Sequence, residues 1–145
     1  MRANRFHLAF FFLCMATSLH TWAGPSDGTL DIYWNDVEGG GATLIVTPQG
    51  ESVLIDSGNP GGRDAGRIFK TVSEVAGLKK LDYYITTHFH ADHYGGAAEL
   101  AKLIPIGQVY DKGIPDSDPD HNPSNQNWMQ RSKPYRDFKA DARHG

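Results

Sequence analysis

The stretch that decides the fold is Thr87-His88-Phe89-His90-Ala91-Asp92-His93-Tyr94-Gly95-Gly96, which holds three of the chain's seven histidines within six positions. Residues 81–87 before the histidines form an apolar run typical of a buried strand, and the small side chains of residues 95–104 favour a helix. Histidines and an aspartate at the carboxyl end of a strand, before a helix, lie where α/β folds build ligand and metal sites. The stretch therefore predicts an α/β fold with a metal site at a strand end.

The spacing of these residues has a physical interpretation. Alternate residues of an extended backbone point to the same side, so His88 and His90 can present imidazoles to one cation, whereas the adjacent Asp92 and His93 diverge toward a second position. Imidazole and carboxylate ligands suit zinc and, less specifically, iron or manganese. The only cysteine, Cys14, is remote from this stretch, which excludes a closed cysteine-type structural zinc site. An open catalytic site is favoured, and a cluster of surface histidines is the alternative.

Residues 88–93 resemble the HxHxDH signature of the metallo-β-lactamase-fold hydrolases, and the following Gly-Gly is common in that superfamily. The resemblance implies an αββα sandwich, of which this chain would supply the N-terminal half: β-meander, helix, strand, metal loop, helix and strand. It implies that His88 and His90 help bind one metal ion and that Asp92 and His93 help bind a second. Two zinc ions, with manganese or iron as alternatives, would activate a water for attack on an ester, phosphodiester or amide-type bond. Asp92 is also the implied catalytic residue, which holds a proton of that water.

The sequence Leu54-Ile55-Asp56-Ser57-Gly58 resembles the strand-end Asp-x-Gly of the same family, which lies close to the metals without binding them. The expected role of Asp56 is to accept hydrogen bonds from a ligand imidazole or from backbone N–H groups and so to orient the ligands. The alternative is an ordinary Asx-type turn at the end of a strand.

The remaining elements follow from hydrophobic periodicity and turn residues. Strands are predicted at 30–34, 42–47, 51–55 and 106–110, with a type I turn at 47–50 and a glycine-rich loop at 35–41. A helix capped by Asp64 is predicted to end at Gly77, and a second helix to span 95–104 and stop at Pro105. A long polar loop follows 111, with a helix from about Asn125 that is broken or restarted at Pro134.

The first 23 residues read as a secretory signal peptide, with Arg2 and Arg5 before an apolar stretch at 6–19 and Ala23 at the cleavage point. An uncleaved membrane anchor is the alternative. The prediction is a secreted or periplasmic protein in which residues 24–145 form a partial metallo-β-lactamase-like domain, with a core at 27–111 and a polar loop and helix at 112–145. Cleavage would remove two of the 14 basic residues and none of the 17 acidic ones, which leaves a net charge of −5. That charge argues against an electrostatic grip on nucleic acid or on anionic membranes.

The family's second half would supply further metal ligands, and neither His121, in a Pro/Asp loop, nor His144, beside the C-terminus, is expected to replace them. A half-domain would expose the sheet face meant for the second sheet, and self-association through that face is expected. The alternative function is therefore a truncated, non-catalytic metal-binding fragment. A di-iron oxidoreductase on the same scaffold would need acidic ligands that this chain does not show.

Two features bear on the substrate, which is expected to be a small molecule or a phosphodiester. Asp36-Val37-Glu38-Gly39-Gly40 resembles the opening loop of the branch that includes the hydrolase-like domain of competence (DNA-uptake) proteins, which favours phosphodiesters. The zinc β-lactamases have the motif without its last histidine, so the presence of His93 disfavours strict lactamase activity.

Overall fold

A computed structural model of the protein describes residues 28–119, 121 and 127–142. The predictions on the signal peptide and on His144 concern residues outside these ranges. One five-stranded sheet has the order β1-β2-β3-β4-β5, and its strands are β1 (Asp31–Trp34), β2 (Thr43–Val46), β3 (Ser52–Ile55), β4 (Leu81–Thr86) and β5 (Ile106–Asp111). The first three strands form an antiparallel meander, and β4 and β5 run parallel to β3. The predicted α/β class is confirmed.

The meander forms because its apolar residues alternate. Leu44, Val46 and Leu54 point to one face and are fully buried, while their neighbours in the strands are only half-buried. The turn between β2 and β3 closes through a hydrogen bond of 2.8 Å from the Gly50 N–H to the Thr47 carbonyl. The turn predicted at 47–50 is therefore present.

The first helix, α1 (Arg63–Lys70), continues into a π-helical turn at Thr71–Val75. Gly77 follows with a φ of 67°, the left-handed conformation expected after a helix end. The cap prediction is wrong, because Gly62 occupies the N-cap and Asp64 is the second residue of the helix. Asp64 is instead buried, and its Oδ2 accepts a hydrogen bond of 2.7 Å from the Asn59 N–H.

The helix predicted at 95–104 is wrong in its extent. Two short helices replace it, α2 (Ala91–Tyr94) and α3 (Ala97–Leu100), so that helical structure already begins inside the histidine stretch. The glycines between them lie against the loop after β3: a Cβ on Gly95 would be 2.4 Å from Cδ of Pro60, and one on Gly96 would be 2.2 Å from the Ser57 carbonyl. This close approach requires glycine at both positions.

The last helix, α4 (Trp128–Ala142), runs without a break through Pro134, contrary to the prediction. Proline removes one helical hydrogen bond. Buried side chains on both sides of Pro134, those of Trp128, Tyr135 and Phe138, hold the helix on the core and outweigh that loss.

The helices pack on one face of the sheet. Residues of the helices and the inward residues of the strands belong to one buried cluster, and α3 contacts both α1 and α4. On the opposite face no described element covers the strands, and Trp34 and Tyr110 are 80% and 51% exposed. The expected layering, with one face of the sheet covered by helices and the other face bare, is thus present among the described residues. Within the described ranges, no helix has the length and apolar character needed to cross a membrane.

Candidate metal centre

The histidine stretch begins where β4 ends and runs into α2. His90 is still extended, with φ −76° and ψ 140°, and Asp92 and His93 lie on the short helix that follows. The His88 ring packs against both other imidazoles, with centroids 4.6 Å from His90 and 3.9 Å from His93. The change from strand to helix therefore gathers three imidazoles at the carboxyl end of β4.

Asp56 reaches the same place from β3. Because β3 and β4 are parallel neighbours with Ile55 opposite Ile85, the residues that follow both strands lie side by side. The Asp56 carboxylate accepts hydrogen bonds from the Thr87 N–H at 2.8 Å, from the Thr87 hydroxyl at 2.7 Å and from Nδ1 of His93 at 2.8 Å. Asp56 thus lies beside His93 as a buried hydrogen-bond acceptor.

Among the described residues, Asp56, His88 and His93 bring ligand atoms within 4.8 Å of one another. Two imidazoles and a carboxylate are a donor set that fits zinc, iron or manganese. The grouping differs from the predicted pairs, because His88 lies with His93 and the side chain of His90 is exposed. Oδ2 of Asp92 lies 3.9 Å from Nε2 of His93. Two ligand atoms on one tetrahedral zinc are separated by about 3.4 Å, so a small shift would let both bind one ion.

The surroundings of His88 favour its neutral form. Burial lowers the pKa of this imidazole below its ordinary value, and the proximity of His93 and His90 lowers it further. A neutral imidazole is the form that binds metal ions. His88 is therefore in the ligand form at neutral pH.

The main chain of Asp92 and His93 is held by two other loops. The Gly41 N–H donates to the Asp92 carbonyl at 3.2 Å, and the Ser57 N–H donates to the His93 carbonyl at 2.6 Å. A Cβ on Gly40 would lie 1.9 Å from the Asp92 carbonyl oxygen. Gly40 and Gly41, for which the sequence predicts only a loop, therefore lie against the candidate site.

A buried polar network connects β4 to α4 just behind the histidines. The Thr86 hydroxyl donates to the Tyr135 hydroxyl at 2.9 Å, which donates to Oδ2 of Asp111 at 3.0 Å. Burial acts to raise the pKa of the Asp111 carboxyl, but hydrogen bonds, foremost from the Lys139 ammonium, hold it below its usual value. No sequence pattern indicated this network, because a polar loop separates Asp111 from the helix.

His121, which is not expected from the sequence to bind metal, is exposed. It does not belong to the Asp56, His88 and His93 group.

A mixed sheet with helices on one face, and a histidine and carboxylate cluster at a strand end, defines an α/β protein with a candidate metal centre. The family model of the metallo-β-lactamase superfamily matches residues 36–141, and the chain belongs to that superfamily.

Curated relatives are UPF0173 metal-dependent hydrolases. The protein of Polynucleobacter asymbioticus is 32% identical over 80 residues, which are 55% of this chain and 26% of the relative. The protein of Cupriavidus necator is 34% identical over 79 residues, 54% of this chain and 25% of the relative. That of Thermodesulfovibrio yellowstonii is 35% identical over 79 residues, 53% of this chain and 26% of the relative. The matched part of the chain spans about a quarter of the length of these relatives.

Proposed function

We propose that this chain carries the histidine-motif half of a metal-dependent hydrolase site, with His88, His90, Asp92 and His93 as metal ligands and zinc as the metal. The observation that carries the proposal is the convergence of three imidazoles with a buried carboxylate at one strand end. The similarity to relatives named metal-dependent hydrolases supports the hydrolytic class.

Asp56 and Asp92 have different tasks in this proposal. A bound metal ion would lower the pKa of a water and polarise the bond to be cleaved. Asp56 holds His93 by its Nδ1, which leaves Nε2 directed toward Asp92. Asp92, on the exposed side of the cluster, holds a proton of the attacking water.

The substrate and the location are inferred from sequence features. The resemblance of residues 36–40 to the competence-type loop supports a phosphodiester or a related small ester as the substrate. The pattern of residues 1–23 supports export to the periplasm or the medium.

A non-catalytic metal-binding role is the second candidate. It is favoured by the ligand supply, because the described residues gather a single group of three ligand atoms. Hydrolytic zinc sites normally use three protein ligands for each ion and keep a position open, so this group could serve one ion but not the two ions of a dinuclear site. Metal binding without hydrolysis would support this second role.

The test is the zinc content of the full chain, measured by equilibrium dialysis and elemental analysis. Zinc near one or two ions per chain is expected in the wild type, with a large loss in His88→Ala and Asp92→Ala. His121→Ala is the matched control, because this histidine is exposed outside the cluster, and its zinc content should equal that of the wild type. Equal zinc in all four proteins would refute the site.

Hydrolysis is then assayed with the zinc-loaded chain. The probes are bis(p-nitrophenyl) phosphate, p-nitrophenyl acetate and a chromogenic lactam. Turnover that is lost in Asp92→Ala supports the hydrolase. Stoichiometric zinc without turnover of any probe supports the non-catalytic role.

A further inference from the structure

We propose that Thr87 is a positioning residue whose hydroxyl, acting with Asp56, holds His88 in the tautomer that presents Nε2 to a metal ion. The inference rests on the proposed metal site and assigns a role to a residue outside the HxHxDH motif.

The hydrogens available around Asp56 decide which nitrogen of His88 is protonated. An ionised carboxylate only accepts hydrogen bonds, and a threonine hydroxyl has one hydrogen to donate. The Thr87 hydroxyl lies 2.7 Å from Oδ2 of Asp56, so its hydrogen is used there. The same hydroxyl oxygen lies 3.0 Å from Nδ1 of His88. Since its hydrogen is already committed, the oxygen can only accept from His88, whose Nδ1 must therefore carry a proton.

His93 is held by the same carboxylate oxygen. Its Nδ1 lies 2.8 Å from Oδ2 of Asp56, so this ring also donates from Nδ1. A neutral imidazole protonated at Nδ1 has its lone pair at Nε2. One carboxylate therefore sets two tautomers, directly for His93 and through the Thr87 hydroxyl for His88.

Thr87 contacts both oxygens of Asp56. Its backbone N–H donates to Oδ1 at 2.8 Å, while its hydroxyl donates to Oδ2. These two bonds fix the plane of the Asp56 carboxylate relative to Thr87, which directly precedes His88. Thr87 itself is exposed, so core packing does not explain why a hydroxyl stands at this position.

The experiment compares the full-length wild type with Thr87→Val, which replaces the hydroxyl by a methyl group, and Thr87→Ser, which restores it. Thr71→Val is the matched control, because Thr71 is a partly exposed threonine on the π-helical turn, where its hydroxyl bonds only a backbone carbonyl. Zinc affinity is measured by competition with a chromophoric chelator. We expect Thr87→Val to weaken binding by about tenfold to a hundredfold, as is usual when a partner of a ligand is removed. Thr87→Ser and Thr71→Val should bind within about twofold of the wild type.

A second measurement reads the tautomers without metal. Long-range nitrogen–proton NMR spectra of the metal-free chain should show His88 protonated at Nδ1 in the wild type and as a tautomer mixture in Thr87→Val. A loss of stability alone would not change the tautomer of a folded protein. His88 protonated at Nε2 in the wild type, or unaltered tautomer and affinity in Thr87→Val, would overturn the inference. A wild type that shows the Nδ1 tautomer but binds no zinc would instead refute the proposed function.

Discussion

The glycine run beside the histidines allows a sharp steric prediction. In Gly40→Ala the new Cβ would lie 1.9 Å from the Asp92 carbonyl oxygen, and real Cβ contacts essentially never fall below 3.0 Å, so the two loops must separate by about 1.1 Å. Overpacking of this kind costs about 1–3 kcal/mol of unfolding free energy. Since Asp92 and His93 move with that carbonyl, we expect zinc affinity to fall at least about tenfold.

Gly39→Ala is the matched control, because a Cβ at Gly39 has nothing within 4 Å. Zinc affinity of both variants is measured by chelator competition, and their unfolding free energy is measured in urea. Gly39→Ala should match the wild type in both assays. The steric reasoning is refuted if Gly40→Ala binds zinc and resists urea as well as Gly39→Ala does.

Three further predictions concern the fold around the site. Tyr135→Phe should lower the unfolding free energy measured in urea by about 1–3 kcal/mol, because the Thr86 hydroxyl and the Asp111 carboxylate lose their shared partner. Tyr94→Phe, in the same aromatic cluster, should lower it less. Equal losses in the two variants would contradict the network. The pKa of Asp111 lies below its usual 3.8, so its contribution to stability is complete above pH 3.8 and is lost as the pH falls through the lower folded-state pKa. Asp111→Asn should remove that part of the acid dependence in urea titrations between pH 2 and 6, and an unchanged dependence would exclude Asp111 as its source. Trp34→Lys should reduce any self-association seen by sedimentation, since Trp34 is the most exposed apolar side chain of the bare sheet face; an unaltered association constant would show that this part of the face is not the contact.

The elements that could be predicted are those whose signal is local. Alternation predicts β1 to β3, and the turn at 47–50 contains its own Pro and Gly. The strand before His88 follows from a short apolar run. These features need only neighbouring residues, so a single sequence is sufficient.

The errors arise where distant segments meet. The helix after the histidines is divided because Gly95 and Gly96 press on the loop after β3, a contact that no local pattern encodes. Helix α4 passes through Pro134 because its buried neighbours pack on the core. At the candidate site, the motif predicts that the histidines and Asp92 lie near one another, but not which rings come into contact. The role proposed for Thr87 depends on hydrogen bonds to Asp56, which is 31 residues away in sequence. Only the folded chain shows these bonds.

In the loop beside Asp92 and His93, main-chain atoms contact the histidine segment, whereas the side chains at 36 and 38 pair with other residues. The ligand segment is held by main-chain hydrogen bonds from Gly41 and Ser57, which any sequence could supply provided that the glycines allow the approach. The side chains of Asp36 and Glu38 in the same loop point outward to arginines of α1. Those outer positions can change identity without disturbing the main-chain bonds to Asp92 and His93. The loop can therefore vary at its outward-facing positions while the main-chain contacts that hold Asp92 and His93 stay the same.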